Sequence, residues 1–257
     1  MTVYNKRAFR KAIGIFLFFI LFTIVERISL NIQTKKTTGL SEFITAYFDM
    51  ELGYQYTDLS RVTYHFLPVF AFLILFGIQL YDDWRTGSIY KIIRYQSRTQ
   101  YYIKRIRILL LEAISYTFLH ETMILFLYFL KAPLQLNSLD FAYLLTWFFL
   151  ETTLLFVLSI AMSLLSLRFG ASYGLLSIVI LFVLLIKLSL FIISCNELVT
   201  RIGCFGIWQI NILYLIKNKT LSGFQWAAIP FHMFSVCVFG KYWIKHYDVG
   251  LCDKEQE

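Results

Sequence analysis

The chain has 257 residues, 58% of them hydrophobic and only 16% charged, with a mean hydropathy of +0.65; a soluble domain carries roughly a quarter charged residues, so a water-soluble globular fold is excluded. The net charge of +8 does not indicate a nucleic-acid partner, because the Lys and Arg residues flank the apolar runs, where membrane topology places them. With 3 Pro against 26 Phe, and unbroken runs such as residues 180–186 that lack period-two alternation, the pattern predicts helices and not a transmembrane barrel.

In chain order, the sequence predicts an all-α polytopic membrane protein, one transmembrane domain over 1–257 with six helices. Lys6, Arg7, Arg10 and Lys11 precede the first, over 12–30. That run ends at Val25-Glu26-Arg27 without a small-x-small cleavage pattern, so it reads as a retained helix and not a signal peptide. A polar stretch to Arg61 follows, in which Phe43, Tyr47 and Phe48 suggest an amphipathic piece at the membrane surface. The second helix covers 62–80, and a basic loop runs over 81–105. The third helix covers 106–130, the fourth 141–167, and a tight turn over 168–172 leads to the fifth at 173–194. The last covers 224–243.

Between the last two helices, the apolar segment 204–216 is too short to span twice. It reads as a re-entrant or interfacial segment, the alternative being an outside loop folded against the bundle. Fifteen Lys and Arg residues fall on one side of this layout, including Arg85, Arg94, Arg98, Arg168 and Lys245, and eight on the other, including Lys35, Lys131 and Arg201. The excess puts both termini in the cytoplasm. Cys195 and Cys204 share one predicted outside loop, where both a disulfide and free thiols are open; no CxxC pair offers a zinc site. Neither GxxxxGK[ST] nor a helix-opening GxGxxG is present, and His120-Glu121 lacks the second histidine of HExxH because residue 124 is Ile.

The segment from Asp82 to Arg98 carries the most information. Its acidic start suits a helix N-terminus. Ile89, Ile92 and Ile93 form one apolar stripe, with Lys91, Arg94 and Arg98 on other faces. A helix of this kind could also anchor to the membrane surface with no partner. The pattern resembles the first cytoplasmic loop of ABC type-2 permeases, the membrane subunits of bacterial ATP-driven exporters. Asp83, Gly87-Ser88, the apolar 89–93, Ser97-Arg98 and Lys104 take that family's places; Ser88 stands where Thr is usual, and the Pro usually found before Ser-Arg is absent. The aromatic, basic and acidic ending at 242–249 is similar to the family's segment after its last helix, and the family layout also has six helices, both ends inside and a re-entrant segment.

The resemblance implies a coupling helix seated on a separate cytoplasmic ABC ATPase, with Asp83, Gly87, Ser88, Ile89, Ile92, Ile93, Arg94 and Arg98 as the coupling residues. ATP is then bound by that partner, and this chain carries no cofactor and no enzymatic activity. Two permease chains, identical or different, line one path in the plasma membrane. An aromatic-rich bundle with few charges suits an amphipathic cargo such as a peptide or antibiotic.

Ionisable residues singled out inside the predicted spans are His65 in the second helix, Glu112, His120 and Glu121 in the third, Glu151 in the fourth, Lys187 in the fifth and His232 in the sixth. Charges at the bilayer centre are costly and face protein or water. Three roles are open: lining a substrate path, relaying protons, or a structural pair such as Glu151 with Lys187. Glu112 lies near the cytoplasmic end, within reach of Arg107 or water. The same residues motivate an alternative, a proton-coupled secondary transporter; a further alternative is a non-transporting immunity or assembly protein.

Overall fold

The computed structural model describes residues 14, 67–79, 81–83, 97–129, 138–195, 197–206, 210–212, 215 and 220–246. The predicted first helix beyond Gly14, the surface piece at Phe43, Tyr47 and Phe48, both termini and the coupling residues Gly87, Ser88, Ile89, Ile92, Ile93 and Arg94 lie outside the described residues. The described elements are all helical, with no strand among the described residues. In order they are α1 (Leu67–Phe72), which runs directly into a π-helical segment (Leu73–Gly77), then α2 (Arg98–Phe129), α3 (Ser138–Phe169), α4 (Ala171–Cys195), the short α5 (Glu197–Gly203) and α6 (Gly223–His246). Among the described residues, α2, α3, α4 and α6 are long and apolar enough to cross a membrane.

α3 is the central helix. It packs against α2, α4, α6 and the π-helical segment, and from Leu150 to Leu167 it is buried round most of its circumference, whereas Phe141, Leu145 and Phe149 are exposed. Leu150, Leu154, Leu155, Phe156, Ile160, Met162 and Leu167 are all buried. α4 is one-sided. Ile178, Phe182, Ile186 and Ser189, at steps of four, four and three, are buried, whereas Leu176, Ile180, Leu184, Leu188 and Phe191 are exposed. In water an exposed apolar face of this size is a liability; against lipid tails it is the surface expected of a membrane-embedded helix. The fold is compatible with membrane embedding on this ground as well as on helix length.

The predicted helices 141–167, 173–194 and 224–243 match α3, α4 and α6 within three residues. Two boundaries are corrected. α2 begins at Arg98, eight residues before the predicted 106, because Ser97 caps it: the Gln100 amide donates to Ser97 Oγ at 3.1 Å and the Tyr101 amide to the Ser97 carbonyl at 3.2 Å. The predicted loop 81–105 therefore loses residues 98–105 to the first two turns of α2, Arg98 among them. The described part of the second predicted helix, in turn, is not a uniform α-helix. It widens to a π-helix at 73–77, where Ser163 Oγ on α3 donates to the Gly77 carbonyl at 2.6 Å. A π-helical turn displaces carbonyls from the ordinary ladder, so that one becomes available to a side chain on a neighbour.

The expected tight turn rests on Gly170, whose φ of 88° is the left-handed conformation that ends α3 and lets α4 start one residue later. The helices then run back against each other at close range. A Cβ at Gly174 would meet the Ser166 backbone nitrogen at 2.8 Å and its Cα at 2.9 Å, and would overlap its hydroxyl. Because backbone cannot step aside as a flexible side chain can, Gly174→Ala is expected to cost about 1–3 kcal/mol, read as a lowered midpoint of thermal unfolding in detergent. Wild-type stability in that variant would refute this packing.

Candidate functional site

Two polar constellations stand out in an otherwise apolar bundle. One lies at the end where α2 begins and α3 and α6 finish. Arg98, Lys104, Arg105 and Arg107 occupy the first turns of α2, Arg168 the last turn of α3, and Lys241 and Lys245 the last turns of α6. Side-chain contacts show that these helix ends meet. The Arg168 guanidinium lies 5.4 Å from the ring centre of Phe169 and 6.0 Å from that of Trp243, and Tyr102 of α2 fills the space that a side chain at Gly240 of α6 would need. The described members of the Lys and Arg excess counted along the chain are thus gathered in space at one end of the bundle.

At this end, side chains tie the residues before the basic loop to those after it. The Tyr101 hydroxyl donates to Asp83 Oδ2 at 2.8 Å. Arg105 Nη2 donates to Gln79 Oε1 and lies 3.5 Å from Glu112 Oε2, while Gln79 Nε2 donates back to the Leu75 carbonyl inside the π-helical segment at 3.0 Å. Glu112 accordingly pairs with Arg105, where the sequence offered Arg107 or water. Of the coupling residues read from sequence, Asp83 and Arg98 are described; Asp83 forms part of this clasp, and Arg98 is the first residue of α2. Tyr101 and Gln79 were missed. Neither is charged, and only the fold shows that residues 18 and 26 positions apart meet.

The second constellation lies deep between α2 and α3. His120 and Glu151 are 1% and 5% exposed, and His120 Nδ1 lies 2.6 Å from Glu151 Oε1. Glu121, 6% exposed, is within electrostatic reach of Glu151. The buried face of α2 explains the grouping: Ala113, Tyr116, Thr117, His120, Ile124 and Tyr128 recur at helical spacing, with Glu121 on the flank. One turn before His120, Tyr116 donates to the Pro68 carbonyl at 2.7 Å and packs its ring on Phe72, which fixes α2 against α1.

Of the seven ionisable residues singled out inside the spans, the structure brings together His120, Glu121 and Glu151; His232 lies at the Cys204 carbonyl, and His65 lies outside the described residues. Glu112 is at the basic end, and Lys187 stands on the exposed side of α4. The expected Glu151–Lys187 pair is corrected: the partner of Glu151 is His120. An α3 residue facing α2 cannot also face the outer side of α4.

At the opposite end, Cys204 follows α5 as a free thiol, which settles the alternatives for Cys204 against a disulfide to Cys195. Its Sγ donates to the Arg201 carbonyl at 2.9 Å, and burial pushes the thiol pKa up to about 11. It is therefore a protonated, weakly nucleophilic group at neutral pH. Its carbonyl accepts from Asn211 Nδ2 at 3.3 Å and lies 2.8 Å from His232 Nε2 of α6. No group of three His, Cys, Asp or Glu among the described residues is arranged to hold a metal ion. Comparison of the chain with protein-family models, with curated proteins and with solved structures gives no match.

Proposed function

We propose that the chain is the membrane-spanning permease subunit of an ATP-driven exporter of the ABC type-2 class, acting in the plasma membrane with a separate cytoplasmic ATPase and a second permease chain. The observation that carries this reading is the clasp at the basic end. A segment that docks on a motor protein can move helices only if its two ends are held to them. Asp83 and Tyr101 are bonded to each other across the segment that bears the family-like pattern, and Gln79 and Arg105 repeat the link one turn further in. A push on residues between them would reach α2 directly and α3 through the bond from Ser163 to the π-helical segment. The gathering of Arg98, Lys104, Arg105, Arg168, Lys241 and Lys245 at that end supports its placement on the cytoplasmic side.

In this reading, the described residues of 204–216 belong to a re-entrant element. His232, which lies beside the Cys204 carbonyl, is nine residues into α6, about 13 Å along its axis. A loop confined to the surface would meet only the first turn. The described residues Ile210, Asn211, Ile212 and Leu215 are buried as well.

The test is a pull-down of the tagged chain from its native membrane. A soluble ATPase of the ABC class is expected to co-purify with the wild type and to be lost from the Ile92→Asp/Ile93→Asp variant, whose apolar stripe can no longer be buried. An ATPase retained at wild-type yield by that variant, or none bound by the wild type, overturns the exporter reading.

A further inference from the structure

We infer that His120, Glu121 and Glu151 form a proton-binding site inside the helix bundle, holding one exchangeable proton among the three side chains. This stands apart from the exporter reading, since it rests on residues remote from the clasp. The first ground is charge. With His120 protonated and both carboxylates ionised, the group carries one uncompensated negative charge, and all three residues are at least nine-tenths buried. Glu151 lies 13 residues from the start of α3 and 18 from its end, so roughly 20 and 27 Å of helix separate it from the two ends. An unneutralised charge is least tolerable at such depth. One further proton brings the group to neutrality.

The second ground is hydrogen bonding. Glu121 Oε1 and Glu151 Oε2 are buried without a hydrogen-bond partner, and so are the hydroxyls of Thr117, one turn before Glu121, and Thr152, beside Glu151. An ionised carboxylate only accepts. A proton on either glutamate removes the charge that makes a buried, unpartnered carboxylate oxygen costly. Among the described residues, the neighbouring elements bring no charge that offsets it. Leu67–Gly77 contains no titratable residue. On α2, Glu112 is taken up by Arg105, and the Tyr116 hydroxyl donates to Pro68. On α3, Tyr143 is a neutral phenol, and Asp140 lies in the first turn. Lys187 of α4 is on its exposed side, and His232 of α6 is held at the Cys204 carbonyl.

The proton comes from water and returns to it, and no bond other than O–H or N–H is made or broken. A row of hydroxyls on α3 marks the path the proton would take. Thr152, Ser159, Ser163 and Ser166, at steps of seven, four and three, share one face and lead from Glu151 towards the basic end; all four are buried. With water between them, their hydroxyls can carry a proton along the helix.

The experiment is infrared spectroscopy of the purified full-length protein in detergent, titrated in heavy and light water. At neutral pH, where exposed carboxyls are ionised, the wild type is expected to show a carboxylic-acid carbonyl band that shifts on deuteration and is lost on raising the pH. The band is expected to disappear in Glu121→Gln or Glu151→Gln. Absence of any such band at neutral and mildly acid pH from wild-type protein that retains its helical spectrum overturns the proposal, whether or not the variants fold. A band that survives both substitutions overturns it too, by placing the proton elsewhere. Neither outcome bears on ATPase binding, so the two readings stand or fall separately.

Discussion

Replacing His120 with Ala is expected to destabilise the bundle by about 3–5 kcal/mol, the typical result of removing one partner from a buried ion pair. The reasoning runs through Glu151. Its Oε1 has His120 Nδ1 at 2.6 Å, and its Oε2 has no hydrogen-bond partner at all. His120 is therefore the whole of its polar support. Without the imidazole, the carboxylate keeps its burial and loses the contact that made burial tolerable.

Removing both groups should cost far less. In His120→Leu/Glu151→Leu, two apolar side chains of comparable volume replace the pair, and such exchanges are often neutral or stabilising. The two single variants and the double variant make a cycle whose interaction energy is predicted to be large and non-additive. It is read from thermal or denaturant unfolding in a fixed detergent. Equal, additive losses from the two single changes would show that the 2.6 Å contact contributes nothing, and the structural importance of the pair would go with it. If His120→Ala proves too unstable to purify, His120→Gln, which can still donate to Glu151, should retain most of the stability.

What the sequence disclosed and what it concealed divide along a physical line. The long apolar helices were legible because lipid imposes a length and a composition that a single chain displays without reference to its neighbours. α3, α4 and α6 were placed within three residues for that reason, and Gly170 marked its turn because few other residues accept a left-handed backbone.

The start of α2 was also written in the sequence, as Ser97-Arg98-Thr99-Gln100, a serine followed three residues later by glutamine. The basic side chains around it drew the reading towards a loop instead. The same signature opens α6, where the Gln225 side chain accepts from the Ser222 amide at 3.1 Å. The local signal was sound both times, and charge outweighed it once.

Pairing was much less legible. Glu151 has two oppositely charged or chargeable candidates in other helices, His120 and Lys187, and hydropathy does not rank them. Only the rotation of each helix about its axis does. The buried stripe Ile178, Phe182, Ile186 and Ser189 turns Lys187 outward, whereas His120 falls in the centre of the buried face of α2. The π-helical segment was hidden for a similar reason. Nothing in Leu73–Gly77 departs from a good helix sequence except its final glycine; the distortion takes its anchor from Ser163, 86 residues away. The clasp is a further case, since the side chains of Asp83 and Tyr101 meet only after two helices have packed.

That clasp carries the second large effect. Tyr101→Phe keeps the ring that is buried at the start of α2 and removes only the hydroxyl bonded to Asp83. A hydrogen bond to a charged acceptor contributes about 1.5–3 kcal/mol. Coupling free energies between sites fall in the range of about 1–3 kcal/mol, or roughly 5–150-fold. In the exporter proposed above, the loss of one such bond is therefore large enough to uncouple the docking segment from α2.

If the chain is the proposed exporter subunit, the expected result in reconstituted vesicles is specific. ATPase binding and ATP hydrolysis continue, because the apolar stripe at Ile89, Ile92 and Ile93 is intact, while cargo moved per ATP falls by roughly 10- to 100-fold. Asp83→Asn, which still accepts a hydrogen bond, should fall less than Asp83→Ala. A purely structural role predicts something else, a lower unfolding temperature with the ratio of transport to hydrolysis unchanged. Wild-type coupling in both Tyr101→Phe and Asp83→Ala would show that force does not pass through this contact. The mechanical link would then have to run through the Gln79–Arg105 bond alone, and Arg105→Leu would become the decisive variant.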